Sequence, residues 1–406
     1  MHLGDHGQPR VQNVLRDMFM RHRLGGSFLF DGPTGVGKEA LAVELGRVIN
    51  CERDGSCEPR GLFREPPVDD NGSPCSSCRR FRSLQHPDLH LIFPVPTGFW
   101  EKTGRPDTKL PNDWAQREPT SIVDVLRGKA LDPYFKPMFE RPVGIHADVL
   151  REVVLPAVQR RPVEARTKVV ILADADRMAF GIGNVLLKTL EEPPPDCLLV
   201  VTSSVPERLL PTIRSRCQRL TFAPLNSRWM QPRLQLLYGA DVPRARLAAS
   251  LSQGSMLLAN RFLNGVFDEV RERAFEILQA AAGCEVLDLL GLANSAARGY
   301  AKQRPMFPLL LQMIVLIARD TLLLVEGAIT TGDDEHGVEL VNSDRRAELN
   351  RLAAGYGFAG LTQVIRQAEQ AEREIAGYAH SELTLASLFV GMARESDQAR
   401  ALAGRD

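Results

Sequence analysis

The stretch Phe28-Leu29-Phe30-Asp31-Gly32-Pro33-Thr34-Gly35-Val36-Gly37-Lys38-Glu39 decides the fold. An apolar run short enough for a buried strand leads into G-x-x-x-x-G-K, and Leu41, Leu45, Val48 and Ile49 follow at i, i+4, i+7 and i+8, one face of a helix. Glycines at Gly32, Gly35 and Gly37 permit positive φ and close approach. Successive N–H groups at a helix N-terminus then cradle phosphate, with Lys38 as the point charge. The competing reading is a tight glycine-rich turn with a solvated lysine.

Outward from this loop the strand and helix signals alternate. Leu89 to Phe93 reads as a strand entered through the turn His86-Pro87-Asp88, and His146 to Gln159 as a helix. Val169-Val170-Ile171-Leu172-Ala173 is a continuous apolar run ending in Asp174 and Asp176, as expected of a buried parallel strand that opens on a site. Asn184 to Leu190 reads as a helix stopped by Pro193-Pro194-Pro195, and Cys197 to Thr202 as another buried strand. The alternation implies an α/β parallel sheet, and after Leu225 only helical periodicity remains, so the fold class is α/β followed by all-α. Pro94 to Pro142 carries eight prolines and is expected to be an irregular insertion, at about 95–145.

The expected nucleotide contacts are Gly32, Gly35, Gly37, Lys38, Glu39, Asp174 and Thr202, and this set departs from what ATP hydrolysis needs. The residue after the lysine is normally Ser or Thr, whose hydroxyl holds Mg²⁺; Glu39 stands there instead, and its carboxylate repels phosphate unless it captures the metal. The acidic strand end should offer adjacent Asp and Glu, yet Ala173-Asp174-Ala175-Asp176 has alanine in one place in either register. Asp174 and Asp176 also suit a turn or helix cap.

Four of the seven cysteines, Cys51, Cys57, Cys75 and Cys78, fall within 28 residues. Cys75-x2-Cys78 has zinc-ribbon spacing, with Cys51-x5-Cys57 as a looser second pair; the alternative is a set of free thiols. Cys197, Cys217 and Cys284 are expected to be buried small residues.

At 406 residues the chain is long enough for two or three domains, and 44% hydrophobic with 25% charged residues excludes a disordered or fibrous protein. Fifty basic and fifty acidic side chains cancel, which argues against an autonomous nucleic-acid binder relying on counterion release. No secretory signal opens the chain and Phe307 to Ile329 is broken by Gln312, Arg319, Asp320 and Glu326, so a cytoplasmic protein with no membrane span is expected. Arginine outnumbers lysine 42 to 8, which makes each lysine's position informative.

The segments Asn184-Val185-Leu186-Leu187-Lys188-Thr189-Leu190-Glu191-Glu192-Pro193-Pro194 and Thr212-Ile213-Arg214-Ser215-Arg216-Cys217 resemble the clamp-loader branch of the AAA+ proteins. The likeness extends to Gly7-Gln8, the phosphate loop and Arg177-Met178. It implies an AAA+ P-loop domain at 1–222 with a zinc module at about 51–78, a three-helix lid at 223–270 and a helical collar at 271–406. It also implies that Arg216, within Ser215-Arg216-Cys217, reaches ATP on a neighbouring subunit; without it Arg216 reads as an ion-paired surface arginine. In the lid, motor subunits carry an arginine where Gly254-Ser255-Met256-Leu257 has leucine, a third defect pointing to a non-hydrolysing subunit. The four cysteines become a structural zinc site by the same resemblance. The implied partners are gamma/tau-type motor subunits and a delta subunit in a hetero-oligomer, the sliding clamp, and primer-template DNA through the complex. Competing expectations are an active P-loop ATPase motor subunit that tolerates Glu39, and a zinc-bearing adaptor with a vestigial loop.

Overall fold

The computed structural model describes residues 5–21, 23–53, 75–102, 117–139, 141–178, 186–264, 266–283, 286–301, 306–327, 340–376 and 380–403. Five strands, β1 (Gly26–Asp31), β2 (Leu89–Ile92), β3 (Lys168–Leu172), β4 (Cys197–Ser203) and β5 (Gln218–Thr221), form one all-parallel sheet in the order β2-β3-β4-β1-β5. The central strands β3 and β4 are buried along their whole length, which is why they read as unbroken apolar runs. On one face Leu29, Val170, Leu172, Leu199 and Val201 pack with Leu150, Val154 and Leu190 from flanking helices. β4 lies between β1 and β3, so the C-terminal ends of the loop strand and the acidic strand flank Thr202 and open on one crevice.

The helix predicted from His146 runs Ala147–Gln159 but is interrupted by a π-turn at Leu150–Val154. Pro156, with no N–H to give, sits just beyond it. The helix read from Asn184 is described as Leu187–Glu191; Asn184 and Val185 lie outside the described residues.

The proline-rich insertion corrects the expectation of an irregular segment. It leaves the sheet at Val95 and returns at Gly144, whose backbones exchange two hydrogen bonds of 3.1 Å, and within it Ile122–Leu131 is a helix. Ser121 caps that helix by accepting from Asp124 N–H at 3.2 Å, while Ile122 and Val125 are buried beneath it.

The chain divides into two compact units, Met1–Asn260 and Arg261–Asp406. In the first, the sheet is followed by the helices Ser227–Tyr238 and Val242–Leu251 and the start of Met256–Leu263. Among the described residues the second consists of helices and their connections: Val266–Gly283, Val286–Ala301, Met306–Val325, Arg346–Ala376, broken at Gly357, and Ser381–Ala403. Buried Asp320 accepts from Asn342 N–H at 2.6 Å and its side-chain amide at 2.8 Å, and Arg271 donates to Asn342 and Asp344, which ties the chain after Val341 onto two helices. Among the described residues no helix is long and apolar enough to cross a membrane.

Candidate nucleotide site and metal centre

Gly32, Gly35 and Gly37 hold φ values of 143°, 80° and 91°, the conformations for which the loop needs glycine. Gly35 has a second constraint. A Cβ there would lie 2.2 Å from Ser255 Oγ and 2.9 Å from Leu257 Cβ, because Met256 N–H donates to Gly35 O at 3.0 Å and draws the next helix onto the loop. Gln8 joins the same junction, donating to Val36 O at 3.3 Å and Ala223 O at 2.7 Å.

Lys38 is buried and turned onto its own loop, donating to Gly32 O at 2.5 Å and Pro33 O at 2.7 Å. Burial, helped by the nearby Lys136 ammonium, brings its pKa down to about 8. Glu39 points instead at Lys129 Nζ, which also donates to Phe135 O at 3.2 Å and lies over the Phe93 ring. Both members of this pair are enclosed, with 4% of the Lys129 side chain and 15% of the Glu39 side chain exposed.

The acidic strand end is arranged on the same principle. Asp174 adopts left-handed backbone (φ 48°), gives its N–H to Thr202 Oγ1 at 3.0 Å and receives Lys136 Nζ at 2.7 and 2.5 Å. Burial opposes its ionisation, yet the Lys136 ammonium prevails and holds the carboxyl at about 2. Asp176 caps the end of β4, accepting from Ser203 Oγ at 2.8 Å and Ser204 N–H at 2.9 Å. The two aspartates thus have different surroundings: Asp174 lines the crevice, and Asp176 holds Ser204, whose hydroxyl meets Thr34 and Lys38 of the phosphate loop.

Lys129 and Lys136 both come from the insertion, together with Asp132 and Tyr134 between them. Tyr134 is buried with its ring against Gly37, 3.4 Å from where a Cβ would be. Asp132 is also buried and accepts from Tyr134 N–H at 2.9 Å, Tyr238 OH at 3.0 Å and the Asn260 amide at 3.3 Å. What remains among Gly35, Gly37, Lys38, Glu39, Asp174 and Thr202 is a cleft that opens to solvent and is walled on one side by Pro133, Tyr134, Phe135 and Lys136 of the insertion. Six of the seven expected nucleotide residues therefore line one crevice, with Gly32 held to it through Lys38, but four insertion residues missed by sequence reasoning lie over or beside it. The scarcity of lysine was the available signal: four of the eight, Lys102, Lys109, Lys129 and Lys136, lie in this insertion.

Arg216 ends the short helix Pro211–Arg216, half-buried, paired with Glu191 and donating to Thr212 O at 3.0 Å. An ion pair this exposed is worth about 0–1 kcal/mol, so a more highly charged anion can take the guanidinium from it. Ser215 is exposed and Cys217 buried, with burial pushing the Cys217 thiol to about 12. Cys197 is likewise buried, and Cys284 lies outside the described residues.

The sulfur atoms of Cys51, Cys75 and Cys78 lie within 4.8 Å of one another, all buried, a set able to hold a metal ion. Cys57 lies outside the described residues. Cys75 caps the helix Ser76–Arg82 through its sulfur, which accepts from Cys78 N–H at 3.4 Å. Buried Arg47 donates to Cys78 Sγ at 3.2 Å and pairs with Glu44 at 2.8 Å. In the thiol form, hydrogen bonding to Cys51 and burial push the Cys78 pKa up, while Arg47 pulls it down. A guanidinium on the sulfur suits a metal-bound thiolate, so the donor set and its surroundings fit a thiophilic cation. Nearby His86 serves the predicted turn, its Nδ1 accepting from Asp88 N–H at 3.1 Å; Asp88 in turn accepts three backbone N–H groups, from Val163, Glu164 and Ala165.

An all-parallel sheet carrying a phosphate loop, with the loop strand and acidic strand on either side of β4, defines an AAA+ P-loop domain. The family described as DNA polymerase III, delta subunit, matches residues 7–226, and the chain belongs to that family. It is a clamp-loader subunit of DNA polymerase III. The DNA polymerase III subunit delta' of Bacillus subtilis (strain 168) is 27% identical over 318 residues, 78% of this chain and 77% of that protein. Subunit tau of the same organism is 23% identical over 235 residues, 58% of this chain but only 31% of tau. Among solved structures, a DNA polymerase III gamma subunit-related protein from Thermotoga maritima covers 95% of this chain and 99% of its own at 15% identity, with a TM-score of 0.39.

Proposed function

We propose that this chain is the delta-prime-like, non-hydrolysing subunit of a bacterial clamp loader, acting in the cytoplasm. It supplies Arg216 in trans to ATP on a gamma/tau-type motor neighbour, so that the sliding clamp is placed on primed DNA. One observation carries the reading: the two carboxylates that would serve Mg²⁺, Glu39 and Asp174, are each neutralised by a lysine of the chain itself. A site so engaged offers no unpaired carboxylate to the metal on which phosphoryl transfer depends. Buried Leu257 stands where an arginine would reach the γ-phosphate.

Arg216 supports the second half of the proposal, since it is half-exposed at a helix end and held by a surface pair with Glu191 and one bond to Thr212 O. Zinc, bound by Cys51, Cys75, Cys78 and Cys57, would be structural, since four thiolates leave no open position. The layout proposed for the whole chain is the P-loop domain at 1–222, a lid at 223–270 and a collar at 271–406 that joins it to the motor and delta subunits. Reconstitution tests the reading. A loader assembled from motor and delta subunits with this chain should load the clamp on primed DNA, and the same mixture without it should not. Loading that is indifferent to the chain would overturn the proposal.

A further inference from the structure

We propose that Ser121–Lys136 is an internal ligand of the P-loop site, standing where a metal–nucleotide would sit and holding the helices after the sheet in place through Asp132. The inference rests on the reading of the chain as non-hydrolysing and extends it: the site is filled by a dedicated segment rather than merely weakened.

Three features of the segment match the parts of the missing ligand. It meets each of the two carboxylates with one ammonium, Lys129 on Glu39 and Lys136 on Asp174, two positive charges where a divalent cation would bring its two. Its bulk is Tyr134, which covers Gly37 and takes up the space over the loop. Its third part is a link. Asp132 gathers Tyr134 N–H, Tyr238 OH and the Asn260 amide on one buried carboxylate, so the segment is fastened to Ser227–Tyr238 and to Met256–Leu263 at Asn260.

Electrostatics explains why such a segment excludes nucleotide. With both lysines engaged, Glu39 and Asp174 are neutralised and Lys38 is turned to loop carbonyls. An incoming triphosphate would have to displace Tyr134 and the lysines, and it would then face two bare carboxylates. A protein carboxylate in place of a nucleotide also makes the position of Ser227–Tyr238 independent of ATP. The chain is thereby held in one state through a cycle in which its neighbours change theirs.

Hydrogen–deuterium exchange on the full isolated chain tests this, comparing wild type, Asp132→Asn and Lys136→Met with and without Mg-ATP. Asn keeps the volume of Asp132 but turns an amide toward two donors. Exchange in 227–238 should rise roughly tenfold, the factor for about one buried hydrogen bond lost, while 306–325 stays at wild type. Lys136→Met should speed exchange in 121–136 and in 32–38 together, and Mg-ATP should leave wild-type exchange unchanged. If Asp132→Asn does not fold, Tyr238→Phe removes one of the three bonds and should show the same local effect at smaller size. Wild-type exchange at 227–238 in the folded variant, or protection of 32–38 by Mg-ATP in the wild type, would overturn the inference. Because no partner subunit takes part, failure of clamp loading on reconstitution would remove the proposed function and leave this result standing.

Discussion

Breaking the Lys129–Glu39 pair from each side in turn should give unequal and strongly non-additive losses. Lys129→Met strands the Glu39 carboxylate at a site where its side chain is 15% exposed, and removing one partner of an enclosed pair costs about 3–5 kcal/mol. Glu39→Gln should cost less, about 1–3 kcal/mol, because Lys129 keeps the Phe135 carbonyl and the face of the Phe93 ring. The double variant replaces both charges by neutral groups of similar length and should lie within about 1.5 kcal/mol of wild type, giving a coupling of about 2.5 kcal/mol or more. Guanidinium unfolding read by tryptophan fluorescence is the assay. All three tryptophans, Trp100, Trp114 and Trp229, belong to the first unit, so the transition reports the unit that holds the pair. Additive single losses, with coupling under about 0.5 kcal/mol, would show that the pair is incidental and that the insertion is not seated by charge.

Protein purified without chelator should contain close to one zinc per chain by elemental analysis, and Cys78→Ser should lose the metal together with stability; folded, metal-free wild type would contradict this. His6 is buried, which lowers its pKa to about 4 from 6.5. The unfolded chain therefore takes up the proton first as pH falls, and stability should drop by up to about 3 kcal/mol between about pH 6.5 and 4. The drop should be smaller in His6→Asn, and an identical slope in both proteins would assign the acid sensitivity elsewhere.

Much of this was legible wherever the chemistry is local. Gly32, Gly35 and Gly37 take the positive φ values that the motif requires, and β3 and β4 are the continuous apolar runs of a doubly covered parallel sheet. The departures at Glu39 and Ala175 were equally plain, because a missing ligand type can be read without a structure. What escaped was the partner of each departure. Lys129 meets Glu39 across 90 residues and Lys136 meets Asp174 across 38, and no periodicity records a contact of that kind. Prolines at Pro119, Pro133 and Pro137 also masked the helix between them, although Ser121 and Asp124 form a legible N-terminal cap. At Asp88 the turn was visible, but its three backbone donors come from 75 to 77 residues away.

The central claim is that a chain whose own site is filled acts on its neighbour's ATP, and steady-state ATP turnover of the reconstituted loader with clamp and primed DNA tests it most directly. An arginine supplied in trans is worth about 10³–10⁵ in rate at the site it serves. Arg216→Ala should therefore leave assembly intact and lower turnover of the complex, by less than that full factor because other ATP sites draw on other arginines. Arg216→Lys should not restore it, since an ammonium lacks the planar fork of the guanidinium. Wild-type turnover in both variants would contradict the account and leave Arg216 as the surface partner of Glu191.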